Sequence, residues 1–249
     1  YYESAALAWE QAAFIRSRVA AGDCDLGAYF LNAIQPFVWR KSVDYGQVEN
    51  IARMSRAIRD HYSEGQALGP GYDLKRGRGG IRECEFFAQV HQLIHGGRDE
   101  HLRVADTRAA LAALAEAGHV GADDATFLAG AYADLRTVEH RLQMLNDRQT
   151  HSLPTGDEQM EALAGLCAMD SGDALIRWLA PIVKRVADIY DELTQVSGID
   201  ESDGLAESGV PLTEQLEKMG FADTGRVEQL LAHWRSGKVR AIRSEAARS

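Results

Sequence analysis

The chain has 249 residues, enough for one large or two small folded units with a substantial core. Apolar residues make up 45% and charged residues 26%, an ordinary globular composition with no apolar run near the ~20 residues of a membrane span. A net charge of -10 excludes general nucleic-acid binding unless one face is locally basic, because a phosphate backbone would be repelled.

Proline is scarce, at 5 residues, and Ala, Leu, Glu, Arg and Gln dominate the periodic stretches, so helix is expected throughout. The opening Tyr1-Tyr2-Glu3 shows neither the basic and apolar segments of a leader nor an initiator Met, which predicts a portion of something longer. A first helix is expected over 3–20. A second should run from about 25 to 35, with Pro36 ending it. Val48, Ile51, Met54, Ile58 and Tyr62 recur at three- and four-residue steps, predicting an amphipathic helix over about 43–63.

Residues 65–80 hold six glycines and Pro70, a long loop with one extended piece at Tyr72 to Leu74, within 71–75. A helix from Ile81 to His95 follows, stopped by Gly96 and Gly97. Asp106 or Thr107 caps the next. The longest begins near Asp123 and carries the stripe Leu128, Tyr132, Leu135, Val138, Leu142 and Leu145, ending before Pro154. Two more are expected over about 157–169 and 172–196. Residues 197–211 read as a linker, and Thr213 to Met219 with Arg226 to Trp234 as a small helical appendage. The fold class is all-α: a multi-helix bundle with a long glycine-rich loop.

Cys24, Cys84 and Cys167 form no CxxC pair and indicate a reduced compartment, hence the cytoplasm. Asp23-Cys24-Asp25 imitates a metal-binding Asp-x-Asp pair, but no strand precedes it, and it reads as a turn between helices. His140 and His151 read as hydrogen-bonded packing residues, and Trp9, Trp39 and Trp178 as core residues rather than cofactor stackers. His91, His95 and His101 make no metal spacing. The basic end, with Arg235, Lys238, Arg240, Arg243 and Arg248, is either a solvated helix or a site for an acidic partner.

The most informative segment is Lys75-Arg76-Gly77-Arg78-Gly79-Gly80-Ile81-Arg82-Glu83. Cations and glycines lie directly before a helix start, where unpaired N–H groups are expected, and that combination suits a phosphate or another anion. The alternative is a flexible loop with solvated charges; no GK[ST] follows, so it is not a Walker loop. On the helix, Arg82, Glu85, Gln89 and Gln92 share one side, and Phe86, Phe87, Val90 and Ile94 another. Glu83 projects into the apolar arc, so it either meets an arginine from a neighbouring element or favours the dipole of the helix start. Arg16 and Arg18, two apart on the first helix, cannot serve one face, and by themselves read as surface ion pairs.

Gly77-x-Gly79-Gly80-Ile81-Arg82-Glu83-x-Glu85-Phe86 resembles the signature of the glutamine synthetase adenylyltransferases. Trp9-Glu10 with Ala13, Ile15-Arg16 and Arg18 resembles the helix after that family's nucleotidyltransferase core. Pro36-Phe37-Val38-Trp39-Arg40 with Asp44-Tyr45 resembles its next motif. Glu139-His140-Arg141-Leu142-Gln143-Met144 with Asp147, Gln149-Thr150-His151 and Leu153-Pro154 resembles the end of its long helix. Trp234-Arg235-Ser236-Gly237 with Arg240-Ala241 and Arg243-Ser244-Glu245 resembles the link between its two halves.

The resemblance implies a bifunctional enzyme that attaches AMP to a tyrosine of glutamine synthetase and removes it by phosphorolysis, here the AMP-removing half. It implies residues 1–64 as the tail of the nucleotidyltransferase domain, 65–196 as the helical domain after it, and 197–249 as linker and start of a central domain. Mg2+ with ATP, ADP or phosphate would serve the parent enzyme. The family's Gly-Ser and Asp-x-Asp metal ligands have no counterpart here, so no catalytic or metal residue is expected in this chain. Lys75, Arg76, Gly77, Arg78, Gly79, Gly80, Arg82, Arg16 and Arg18 are the expected phosphate or nucleotide contacts, and Glu83 a structural ion pair. Partners implied are glutamine synthetase and the PII signalling protein, with no membrane and no nucleic acid. Rival readings are a helical interaction module docking those partners, or the helical domain of a PII uridylyltransferase.

Overall fold

A computed structural model describes residues 8–40 and 67–196, all within the first of the chain's two units, Tyr1–Ser197. The expected helix over 43–63, Asp44-Tyr45, and everything after 196, including the linker, appendage and basic end, lie outside the described residues. Those residues form an all-α bundle with seven α-helices: α1 (Ala8–Ile15), α2 (Cys24–Val38), α3 (Ile81–His95), α4 (Thr107–Glu116), α5 (Ala122–Asn146), α6 (Asp157–Leu166) and α7 (Gly172–Val196). A short 3-10 turn, Glu100–Leu102, separates α3 from α4.

Helix starts follow side-chain chemistry. Asp23 Oδ1 accepts the Leu26 N–H at 2.9 Å to cap α2, and Asp106 Oδ1 accepts the Ala109 N–H at 2.8 Å to cap α4. The Asp-x-Asp imitation is therefore a cap. The first helix stops at Ile15, not residue 20, so Arg16 and Arg18 lie beyond it. The reason is tertiary: Arg16 leaves the helical path to reach Glu85 on α3 at 2.5 Å. Pro36 does not end α2 either. Its missing N–H falls in the last turn, where burial of Ile34, Phe37 and Val38 carries the helix on to Val38.

α3 is the hub, packed against α1, α4, α5 and α7. Ile81, Cys84, Phe87 and Ala88 enter the main core with Leu111, Leu114, Leu128, Leu135, Leu163, Leu175 and Leu179. Val90 and Leu93 point instead into a second cluster with Ala12, Ile15, Ile34, Phe37 and Val38. A helix enclosed this way has little polar face left. Gln89 and Gln92, on the side shared with Arg82 and Glu85, are buried, and Gln92 Nε2 donates to the carbonyls of Leu102 and Val104 at 2.6 and 2.8 Å. α5 keeps the expected stripe: Leu128, Tyr132, Leu135, Val138 and Leu142 are buried. Gly96 ends α3 with ordinary right-handed geometry. A Cβ there would lie 2.6 Å from the Gln92 carbonyl and 2.8 Å from the Trp39 ring, so the ring requires glycine.

Cys84 and Cys167 are buried and Cys24 is exposed. Burial pushes the Cys84 thiol well above its ordinary range, and the Glu83 and Glu85 charges add to it. In the native state a thiol reagent should modify Cys24 rapidly, with Cys84 and Cys167 reacting only after denaturation. Rapid native labelling of Cys84 would contradict this packing.

Candidate functional site

The glycine-rich segment is built on a pairing that the sequence half revealed. Of the extended piece expected at Tyr72 to Leu74, Asp73 alone forms a β-bridge, with turns on either side, and its partner is the stretch after α5. Gly71 N–H donates to the Leu153 carbonyl at 3.0 Å, Leu153 N–H to the Tyr72 carbonyl at 2.8 Å, and Leu74 N–H to the His151 carbonyl at 2.8 Å. Asp73 and Ser152 form an isolated antiparallel bridge. The chain then turns under Asp73, whose Oδ1 accepts the N–H groups of Lys75 and Arg76 at 2.9 and 2.8 Å.

The start of α3 differs from the open N–H cradle expected of it. Gly80 N–H donates to the Gly77 carbonyl, Ile81 N–H to Leu74, Arg82 N–H to Lys75 and Glu83 N–H to Gly80, at 2.9 to 3.1 Å. Those are the four donors a helix start leaves open, and the loop's own carbonyls take them all. Gly79 N–H donates to Glu83 Oε2 at 2.9 Å, a carboxylate reaching back over the helix start much as in a capping box. Of the two readings of Glu83, this contact belongs to the helix-start one.

The glycines are needed by packing. Gly79 has φ +79, and a Cβ on it would sit 2.0 Å from the Val183 carbonyl of α7. A Cβ at Gly77 would strike the Asp73 carbonyl and the Tyr72 ring, both at 2.6 Å, and one at Gly80 the carbonyls of Leu74 and Gly77. Tyr72 is buried, its hydroxyl donates to the Arg78 carbonyl at 2.6 Å, and burial, aided by Glu83, raises its pKa. The backbone is thus a buried knot, with Gly77, Gly79 and Gly80 inside and Arg76 and Arg78 exposed above it.

The expected cations fall into two groups. Arg78 Nη2 is 2.5 Å from Asp191 Oδ2 on α7, and that hydrogen bond holds its guanidinium even more firmly protonated than usual. Arg16 is held by Glu85, which also accepts the Tyr132 hydroxyl at 3.3 Å. These two belong to ion pairs between elements. Lys75 is half-buried, Arg76 and Arg18 are exposed, and Arg82 lies with its Cζ 5.8 Å from the Phe86 ring centre. Arg16 pairs with Glu85, Arg82 lies by Phe86 and Arg78 faces α7, so the structure does not gather all the expected contacts on one spot. Beside Arg78, a cavity of about 420 Å³ is lined by Leu68, Tyr72, Val183, Lys184 and Asp188 among others.

Sequence reasoning missed Glu139. It is 1% exposed, its Oε2 lies 2.5 Å from Arg136 and its Oε1 2.7 Å from His151 Nδ1. A charged residue amid a stripe of buried leucines was the available signal. His140 is exposed. His91, His95 and His119 form a stack, with the last two rings 3.8 Å apart and nearly parallel. Among the described residues no three His, Cys, Asp or Glu side chains converge as a metal site requires, and no helix is long and apolar enough to cross a membrane.

Residues 50–194 match the family model described as GlnD PII-uridylyltransferase. Over the whole chain, similarity runs to proteins named bifunctional glutamine synthetase adenylyltransferase/adenylyl-removing enzyme. The relative from Caulobacter vibrioides is 41% identical, that from Rhizobium meliloti 39% and that from Agrobacterium fabrum 38%, each covering 100% of this chain. The chain spans 26%, about a quarter, of the length of each of these relatives.

Proposed function

From the premise that this chain belongs to the GlnD PII-uridylyltransferase family and aligns end to end with bifunctional glutamine synthetase adenylyltransferase/adenylyl-removing enzymes, we propose that it is a helical part of such an enzyme. In this reading it accompanies the half that removes AMP from glutamine synthetase by phosphorolysis. Residues 1–64 close a nucleotidyltransferase domain, 65–196 form the helical domain beside it, and 197–249 lead towards a central domain. Mg2+ and ATP, ADP or phosphate are handled by nucleotidyltransferase residues outside these helices, so no metal-dependent step is assigned to this chain. The setting is cytoplasmic, and the partners are glutamine synthetase and PII.

The observation that carries the reading is the disposition of the glycine-rich segment: cationic side chains are displayed on a rigid, internally bonded backbone next to α3. With its N–H groups occupied, such a segment attracts phosphate through side chains alone. Lys75, Arg76 and Arg82 supply the field, Arg18 lies nearer α1, and Arg78 and Arg16 hold the frame through Asp191 and Glu85. Gly77, Gly79 and Gly80 permit the knot that places these cations.

Replacing Arg82 by Ala in the full-length enzyme should slow phosphorolysis about 10- to 100-fold, the worth of one charge-assisted hydrogen bond, with little change in affinity for glutamine synthetase. A second reading, a helical module that docks glutamine synthetase or PII, is favoured by the closed helix start and by the pairing of Arg16 and Arg78. Under it, the same variant weakens partner affinity and leaves the rate at saturating partner unchanged. A uridylyltransferase shares the helical domain by family description, but the end-to-end relatives carry the adenylyltransferase name.

A further inference from the structure

Glu139 lies on α5 between the buried residues Val138 and Leu142, and is itself almost wholly out of solvent. A carboxylate in that position is retained at a cost unless each oxygen is engaged. Oε2 takes the Arg136 guanidinium one turn earlier. Oε1 is 2.7 Å from His151 Nδ1, an ion-pair contact, and neither of these buried atoms has a hydrogen-bond partner elsewhere. Two bare acceptors would repel at that distance, which places a proton on the Nδ1 side of the ring.

His151 also makes one of the three backbone hydrogen bonds that tie the glycine-rich segment to the stretch after α5, the other two being Leu153's. The His151 carbonyl accepts the Leu74 N–H at 2.8 Å, and the Leu74 carbonyl in turn accepts the Ile81 N–H at 2.9 Å, the first donor of α3. The hydrogen bonds that tie this stretch back to α5 include two long ones, Arg148 N–H to the Gln143 carbonyl at 3.3 Å and Gln143 Nε2 to the Thr150 carbonyl at 3.4 Å, while Thr150 N–H bonds locally to the Arg148 carbonyl at 2.9 Å. Residues 147–149 are exposed. The imidazole–carboxylate contact is the short, buried link in that stretch.

We propose that Glu139 and His151 form a proton-sharing clamp that sets the position of the glycine-rich loop, acting as positioning residues for its cations. The two ends of one sequence motif, Glu139 and His151, thereby serve the other motif, Lys75 to Glu83. The clamp stands on geometry alone; only its effect on turnover rests on the role proposed above for the loop.

Amide exchange on this chain tests it. His151→Phe should raise exchange at Leu74 and Ile81 about tenfold or more while α6 amides keep their protection, since one buried anchor is lost and the fold is not. His151→Asn, whose amide N–H can donate to Oε1, should restore most of that protection. In the wild type, the 15N signal of His151 Nδ1 should be that of a protonated nitrogen. Wild-type exchange at Leu74 and Ile81 in His151→Phe, or an unprotonated Nδ1, overturns the clamp. In the full-length enzyme, His151→Phe should lower the phosphorolysis rate and His151→Asn recover it. Altered loop exchange with unaltered turnover would leave the clamp standing and sink the phosphate role of the loop.

Discussion

Gly79→Ala should destabilise the protein by about 3 kcal/mol or more. The residue combines a left-handed backbone, costing an L side chain roughly 1–2 kcal/mol, with a contact that does not yield. Its Cβ would stand 2.0 Å from the Val183 carbonyl, which belongs to the helical ladder of α7. Either the loop or α7 must move, and overpacking of this kind costs about 1–3 kcal/mol further. For a chain of this size the melting temperature should fall by about 6–12 °C. Gly130, inside α5, is the control: its Cβ meets nothing within 4 Å. Gly130→Ala should therefore stabilise by up to about 1 kcal/mol through helix propensity. Thermal denaturation of both variants checks the pair. Equal small effects would mean that Gly79 does not lie against α7.

His91 should make stability fall in mild acid. Its ring packs against Phe87, with centroids 4.9 Å apart, its Nδ1 is buried without a hydrogen-bond partner, and burial lowers its pKa to about 4. Repulsion from His95 and His119 acts in the same direction. The folded protein thus favours neutral His91, while the unfolded chain takes up its proton near pH 6.5. The contribution is complete above pH 6.5, declines as pH falls towards 4, and amounts to about 3 kcal/mol at most. His95, also lowered by burial, acts in the same direction below pH 6.5. Denaturant titrations of wild type and His91→Leu at several pH values between 7.5 and 4.5 isolate the effect, because the other groups are common to both. The stability gap between the two proteins should shift in the variant's favour as pH falls. A gap independent of pH would remove the argument.

The glycine-rich segment shows what can be read from residue types and what cannot. Lys75 to Arg82 announces itself by composition, and the boundaries of α3, Ile81–His95, follow from an apolar run bracketed by glycines. The meaning of the glycines was hidden. The same Gly-x-Gly-Gly that permits an anion to approach backbone N–H groups also permits a carbonyl to do so. Which happens depends on Leu74, Lys75 and Gly77 coming round to the helix start. Arg16 is similar: a cation near the end of α1 could face solvent or a ligand, and its pairing with Glu85 is settled by the placement of α3.

Helix periodicity, caps and punctuation determined the all-α class, the span of α3 and α7, and the inward stripe of α5, because these depend on neighbours a few residues away along the chain. The ordering of motifs also marked the family. Tertiary structure alone decided that α3 is enclosed on several sides, that Pro36 is carried within α2, that Glu139 finds His151, and that the loop closes on itself. Those outcomes turn on packing and on which buried partner each group meets, which helix periodicity does not encode. Local preference, worth a few tenths of a kcal/mol per residue, yields where burial and buried hydrogen bonds are worth about 1 kcal/mol or more apiece.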